Sequence, residues 1–360
     1  MAKRPLRFGE PISFLHLKSN RNPRFAISSM GGRFVLFCVI TDLSRPEARA
    51  ALDALAKNGI EEGPRVLCVL CADPAGESDA QIQEIAKKRL VFYNAAEAVE
   101  EWGLKAPNEA TADKWLLLDP TMRALAFWPL NEAGSALQTL ERTPSPDQHA
   151  GVPIHAPVLI VPRVFEPAFC KELIAAYERA GGKPSGTTRE NEAGKTYVGL
   201  DDGFKKRFDY DIAEKELREG AMHRMFWRLN PEIEKAFMQR MTRMERYIVA
   251  CYDATTGGFF RPHRDNTTKG TAHRKFAVTI NLNAEEYEGG DLRFPEFGSR
   301  TYRAPTGGAV VFACALLHEA TPVTRGKRYA FLPFLYDEAG AKIREANNQY
   351  LDASIGKYEG

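Results

Sequence analysis

No long, unbroken apolar segment occurs in this sequence. The longest run, Phe34–Ile40 (FVLFCVI), falls far short of the roughly 20 residues that span a bilayer. An excess of charge of either sign is also missing. Forty-nine Lys and Arg stand against 47 Asp and Glu, a formal net charge of +2, so neither a general nucleic-acid binder nor a membrane-surface protein is expected. The start, MAKRPLRFGEP, is charged with no apolar stretch behind it, so no secretory leader and a cytoplasmic location are expected. Internal repeats and low-complexity tracts are absent. Cysteine is sparse: the six are Cys38, Cys68, Cys71, Cys170, Cys251 and Cys314, mostly inside apolar runs, as buried reduced thiols are. Cys68 and Cys71 form a C-x-x-C, but within RVLCVLCAD, which reads as a strand. Positions three apart on a strand face opposite sides, whereas a redox C-x-x-C opens a helix that lowers a thiol pKa. Core packing is the expected role.

What is present is a folded composition, 44% apolar and 27% charged over 360 residues, enough for two domains at roughly 100–200 residues each. Thr143–Pro157 carries four prolines and no periodic apolar pattern, which marks a linker. The expected division is a first domain over 1–148, a Pro-rich linker over 149–157, a second domain over 158–337 and a tail over 338–360. In the first half, strand-like FVLFCVI, RVLCVLCAD and LVFY alternate with helical RPEARAALDALAK, AQIQEIAKKR and AAEAVEEWGL. KWLLLD and ALAFWPL then flank a Pro120–Thr121 turn, and Ala133–Arg142 reads as a final helix. This alternation predicts an α/β sheet covered on both faces.

GEPISFLHLKSN, GGRFVLFCVITD, AAEAVEEWGLKAP and KWLLLDPTMRALAFWP, in that order over roughly residues 8–142, resemble the thioredoxin-like fold of the peroxiredoxin type. That family places its peroxidatic cysteine a few residues past the first core strand. Here VITDLSRPEARAAL offers Ser44 and no cysteine. A serine hydroxyl cannot replace a low-pKa thiolate toward peroxide, so the domain is expected to keep the fold without the chemistry.

The second half opens on a short β run, then Pro167 at a first helical position and a helix to Gly181–Gly182. Pro231–Ala250 predicts a long helix that turns to strand at RYIVACYD, with Met238, Met241 and Met244 as its core stripe beside Arg240, Arg243 and Arg246 as a solvated face. From Tyr247 to Leu335 short apolar runs punctuated by Gly and Pro predict a sandwich or jelly roll.

The chemistry concentrates there. In Arg261-Pro262-His263-Arg264-Asp265, His263 and Asp265 lie two apart, and His318 follows 55 residues after His263. Two histidines and a carboxylate on a β framework compose the facial triad of non-haem Fe(II) oxygenases, with open positions for other ligands. Arg328 follows His318 by ten residues, and its guanidinium fork suits a carboxylate held bidentately. The pattern H-x-D, H and Arg at +10, with TINLNAEEYEGGDLRF and PTGGAVVF between, resembles the 2-oxoglutarate/Fe(II)-dependent dioxygenases, in the prolyl 4-hydroxylase-like branch, over about residues 158–337. The resemblance implies an α+β double-stranded β-helix (jelly roll) after the α/β thioredoxin-like domain. It implies Fe(II) on His263, Asp265 and His318, 2-oxoglutarate chelating the iron with its C5 carboxylate on Arg328, O2 as oxidant, and ascorbate as a candidate reductant.

Two further positions carry over. Tyr252 matches a tyrosine of the 2-oxoglutarate pocket, but it precedes His263 by eleven residues, about two more than in the collagen-type pattern. Either an insertion falls in TTGG, or Phe259 and Phe260 share that role. Arg274 matches a basic position that approaches substrate in peptide hydroxylases; it reads equally as a surface arginine at a strand start. His273 is expected to be solvated, and His16, His149, His155 and His223 have no neighbours at metal spacing. Arg325 and Lys327 are charged neighbours of Arg328 expected to matter little. The implied activity is hydroxylation of a protein side chain or small molecule, with loops 183–228 and 266–273 setting selectivity and a homodimer as a candidate assembly. The alternatives are a thiol peroxidase with an accessory β domain, or a non-catalytic sensor of iron and 2-oxoglutarate.

Overall fold

The computed structural model describes residues 4–106, 109–191, 193–353 and 355–358. The chain divides into two compact units, Met1–His155 with Pro295–Ser299, and Ala156–Phe294 with Arg300–Gly360. Among the described residues no helix is long and apolar enough to cross a membrane.

The first unit is α/β. Its seven-stranded sheet runs in the order Phe25–Ala26, His16–Ser19, Leu90–Tyr93, Arg65–Cys71, Phe34–Ile40, Lys114–Leu118 and Ala124–Trp128. Phe34–Ile40, Arg65–Cys71 and Leu90–Tyr93 are mutually parallel, and Lys114–Leu118 runs antiparallel beside them. Every residue of Phe34–Ile40 is buried, as a strand covered on both faces requires. Helices Pro46–Lys57 and Ala133–Arg142 cover one face through Leu52, Leu55, Leu137 and Leu140. The predicted alternation of sides in the C-x-x-C is seen: Cys71 packs in that cluster and Cys68 in the cluster on the other face. Burial pushes the Cys38 and Cys68 thiols well above their ordinary value and Cys71 up to about 11. Ser44, where the resemblance called for a reactive cysteine, donates its hydroxyl to Asp42.

The second unit is β-rich, and two of its antiparallel sheets hold the site. The larger runs in the order Arg243–Glu245, Phe334–Tyr336, Phe276–Asn281, Lys327–Phe331, Ile248–Asp253, Phe208–Asp211 and Lys183–Pro184, with Ala309–Ala313 also on Phe276–Asn281. The smaller runs Lys205–Lys206, Phe259–His263, His318–Ala320, Leu292–Arg293 and Thr301–Tyr302. Alternation sorts the side chains of the larger sheet. Val249, Cys251, Tyr329 and Phe331 pack with Phe165, Phe169 and Leu173 around helix Pro167–Ala180. Ile248, Ala250 and Tyr252 turn the other way, to Ala320 on the smaller sheet.

One predicted element is corrected. Pro231–Ala250 is not a long helix: a helix spans Asn230–Phe237 and stops where Met238 adopts a left-handed φ of 53°. Asn230 then bonds both the carbonyl and the N–H of Met241, at 2.8 and 3.1 Å, which ties the reversing chain back. Arg243–Glu245 is a strand. Met238 is exposed and Met241 buried, so the spacing of three is no helix stripe.

Candidate metal centre

His263 closes strand Phe259–His263 and pairs directly across the smaller sheet with His318, the first residue of its own strand. Asp265 lies just past the strand end in a turn, its N–H held by the Cys314 carbonyl at 2.9 Å. The three side chains therefore meet. His263 Nε2 is 3.5 Å from Asp265 Oδ1, His318 Nε2 is 3.2 Å from Oδ2, and one ligand atom from each lies within 4.8 Å of the others.

Backbone contacts select which nitrogen faces this point. His263 Nδ1 sits 2.7 Å from the Arg261 carbonyl and His318 Nδ1 3.0 Å from the Leu316 carbonyl. A carbonyl only accepts, so each Nδ1 carries a hydrogen, and a ring that is neutral in this tautomer presents its Nε2 lone pair. Phe260 stacks on the His263 ring, with centroids 3.5 Å apart. Burial, then the neighbouring His318, lower the His263 pKa to about 4. Burial works against the Asp265 carboxylate, but the two histidines outweigh it and hold its pKa well below the carboxylate range. Two imidazoles, which bind a metal as neutral rings, and one carboxylate are the donor set a divalent transition metal takes.

Arg328 lines the same pocket. Its strand pairs with Ile248–Asp253 so that Tyr252 lies opposite it, with the guanidinium 5.0 Å from the Tyr252 ring centre. Arg328 is only 2% exposed, yet its Nε and NH1 have no hydrogen-bond partner among the described residues. A charged group buried in that condition costs more than the ~1–3 kcal/mol of a neutral one. An anion is the partner that such a group lacks. The neighbouring charges lie elsewhere: Arg325 pairs with Glu288 at the surface, and Lys327 approaches Glu178 and Asp253. The eleven-residue gap from Tyr252 is taken up by a tight turn at Ala254–Thr256 and a left-handed Gly257.

Arg274 is neither solvated nor aimed at solvent. Its Nε donates to Glu245 Oε1 at 2.6 Å and NH1 to the Asp265 carbonyl at 3.4 Å, so it braces the ligand loop from behind. The expectation for His273 is overturned: it is buried, with Nε2 3.2 Å from Glu245 Oε2. Glu245 supplies the reason. It is buried among Arg274, His273 and Arg344, which outweigh its burial and depress its pKa strongly. Sequence reasoning also missed Arg207 and Arg246, both in the pocket wall. The usable signal was Lys205, Arg207 and Asp209, whose spacing of two puts all three on one face of an extended segment.

Residues 247–336 match the 2OG-Fe(II) oxygenase superfamily. A PKHD-type hydroxylase of Pseudomonas fluorescens is 35% identical over 91 residues, which cover 23% of this chain and 39% of that protein. The chain thus spans about two-fifths of the length of that relative. A prolyl-4-hydroxylase structure from Pseudomonas putida covers 54% of this chain and 97% of its own, at 18% identity and a TM-score of 0.40. A peroxiredoxin-like protein from Aquifex aeolicus covers 39% of this chain and 89% of its own, at 8% identity and a TM-score of 0.33.

Proposed function

We propose that the second unit is a double-stranded β-helix that binds Fe(II) through His263, Asp265 and His318, and 2-oxoglutarate through Arg328. In this reading the chain is a dioxygenase that hydroxylates a C–H bond of a protein side chain or small molecule. The observation that carries it is Arg328, a buried guanidinium with two unpaired N–H groups in the wall of a pocket whose other end is a two-histidine, one-carboxylate cluster. The distal carboxylate of 2-oxoglutarate is the acceptor those N–H groups lack. A bound Fe(II) would supply activation of O2, with 2-oxoglutarate leaving as succinate and CO2.

The chain's own residues orient and exclude. The Arg261 and Leu316 carbonyls fix the histidine tautomers. Tyr252, buried under Arg328, walls the anion cradle, while Phe260, stacked on His263, keeps water from that side of the cluster. Arg274 and Glu245 hold the loop that carries Asp265. The first unit is read as a thioredoxin-like domain without redox chemistry, because its thiols are buried and none stands at the Ser44 turn.

Succinate formation tests this against the alternatives. Protein supplied with Fe(II), 2-oxoglutarate and air should release succinate, slowly alone and faster with substrate. A non-catalytic sensor would bind 2-oxoglutarate and release none, and a thiol peroxidase would consume peroxide instead.

A further inference from the structure

The pocket wall holds more positive charge than the proposed metal and cosubstrate use. Arg207, Arg246 and Arg328 all line it, with Asp265 as the carboxylate. Behind Arg207 lies Asp209, which accepts from Arg207 Nε and NH2 at 2.7 Å each, from the Ser185 hydroxyl, and from Arg246 NH2 at 3.1 Å. Arg207 is thereby held bidentately, with NH1 left 3.4 Å from the Tyr252 hydroxyl. Arg246 is held by one contact. Its NH2–Asp209 bond is its sole hydrogen bond among the described residues, and its guanidinium lies 5.5 Å from the Phe334 ring centre. Lys205 is buried alongside, donating to Ser185 Oγ and the Gly186 carbonyl at 2.7 Å each.

Two independent features point to Arg246 as the residue that meets a ligand. Its backbone is left-handed, φ 64°, a conformation that strains a non-glycine residue and recurs where function requires it. Asp209 is also already shared between two guanidiniums, so it cannot neutralise both. With a divalent cation and dianionic 2-oxoglutarate in place, Asp265, Asp209 and the three arginines still leave the pocket net positive. A cleft of one sign with low-dielectric walls selects partners of the other.

Resting on the reading above, we infer that the primary substrate is an anion, a carboxylate or a phosphate, whose charged group is held by Arg246 with Arg207 behind it. A neutral peptide side chain is thereby disfavoured. The oxygen-bearing end of such a substrate docks at the Arg246 side of the pocket, and the C–H to be oxidised faces the metal cluster.

Anaerobic calorimetry on the full chain, loaded with Fe(II), tests this without turnover. First, 2-oxoglutarate is titrated; if it does not bind, the cosubstrate reading fails and the substrate inference falls with it. If it binds, the saturated protein is titrated with N-acetylglycine, with its uncharged counterpart N-acetylglycinamide, and with inorganic phosphate. At least one anion should bind and the amide should not; the tighter of the two tells carboxylate from phosphate. Arg246→Gln should weaken the anion at least tenfold more than it weakens 2-oxoglutarate, and Arg246→Lys should restore part of the loss. The inference is overturned if acid and amide bind alike, if neither anion binds, if 2-oxoglutarate displaces the anion competitively, or if Arg246→Gln weakens both ligands equally.

Discussion

Arg328 shows what a single side chain contributes and how much of that its sequence position already says. Its place ten residues after His318 is what the proposed anion role is first read from; its Nε and NH1, unpaired among the described residues, supply the physical reason. Removing one partner of a buried, hydrogen-bonded charge pair costs about 2–5 kcal/mol. At a factor of ten per ~1.4 kcal/mol, Arg328→Ala should weaken 2-oxoglutarate by about 30- to several-thousand-fold while Fe(II) binding survives. Arg328→Lys should fall between, keeping the charge and losing the fork. Lys327→Ala and Arg325→Ala are the controls, since both side chains are exposed and paired on other faces. Titrating 2-oxoglutarate into the four variants checks this; a large loss at Lys327 with Arg328→Ala unaffected would be the contrary result. His273 marks the limit at this scale. Buried in a turn, it meets Glu245 on strand Arg243–Glu245, and no local pattern around His273 announces that partner.

At the scale of elements, strands with strict burial patterns and the Pro167–Ala180 helix were legible, whereas the helix expected over Pro231–Ala250 does not form. Phe34–Ile40 and Arg65–Cys71 follow from unbroken apolar runs, and the same burial makes their thiols poor nucleophiles. Alkylation of Cys38 and Cys68 by iodoacetamide near neutral pH should therefore be far slower in the native protein than after denaturation. Equal rates would contradict the burial. The Pro231–Ala250 helix failed because the Met and Arg spacing of three imitates a helical face, while the Asn230–Met241 bonds that end it join positions no periodicity connects. Strand Phe208–Asp211 carries a pH prediction. Burial opposes ionisation of Asp209, but Arg207 and Arg246 outweigh it and lower its pKa to about 2 from the ordinary 3.8. A depressed folded-state pKa gives stability that is fully present above the unfolded value and is lost as pH falls through the folded one. The contribution is roughly 2 kcal/mol at one pKa unit per ~1.4 kcal/mol. Chemical denaturation from pH 5 down to about pH 2 should show this loss in the wild type, and Asp209→Asn should remove that part of the slope; an unchanged slope in the variant would rule it out.

Across the whole molecule, an α/β unit precedes a β-rich unit, as the change of texture near residue 150 foretells. The three-residue cluster was legible because His263 and Asp265 lie two apart and His318 opens the strand that pairs with the one His263 ends. The basic wall was not, because Arg246 reads as the solvated face of a helix that does not form and Arg207 as part of a loop. The proposed function rests on the cluster and Arg328 acting together. The most direct measurement is succinate released from 2-oxoglutarate in air by protein reconstituted with Fe(II), compared with His263→Ala, Asp265→Ala and His318→Ala whose folding is verified by circular dichroism. Iron-dependent succinate release by the wild type, with loss of both retained iron and succinate in each variant, is the predicted result. Wild-type rates in His318→Ala at equal iron loading, or no succinate from the iron-loaded wild type with any substrate offered, would contradict it.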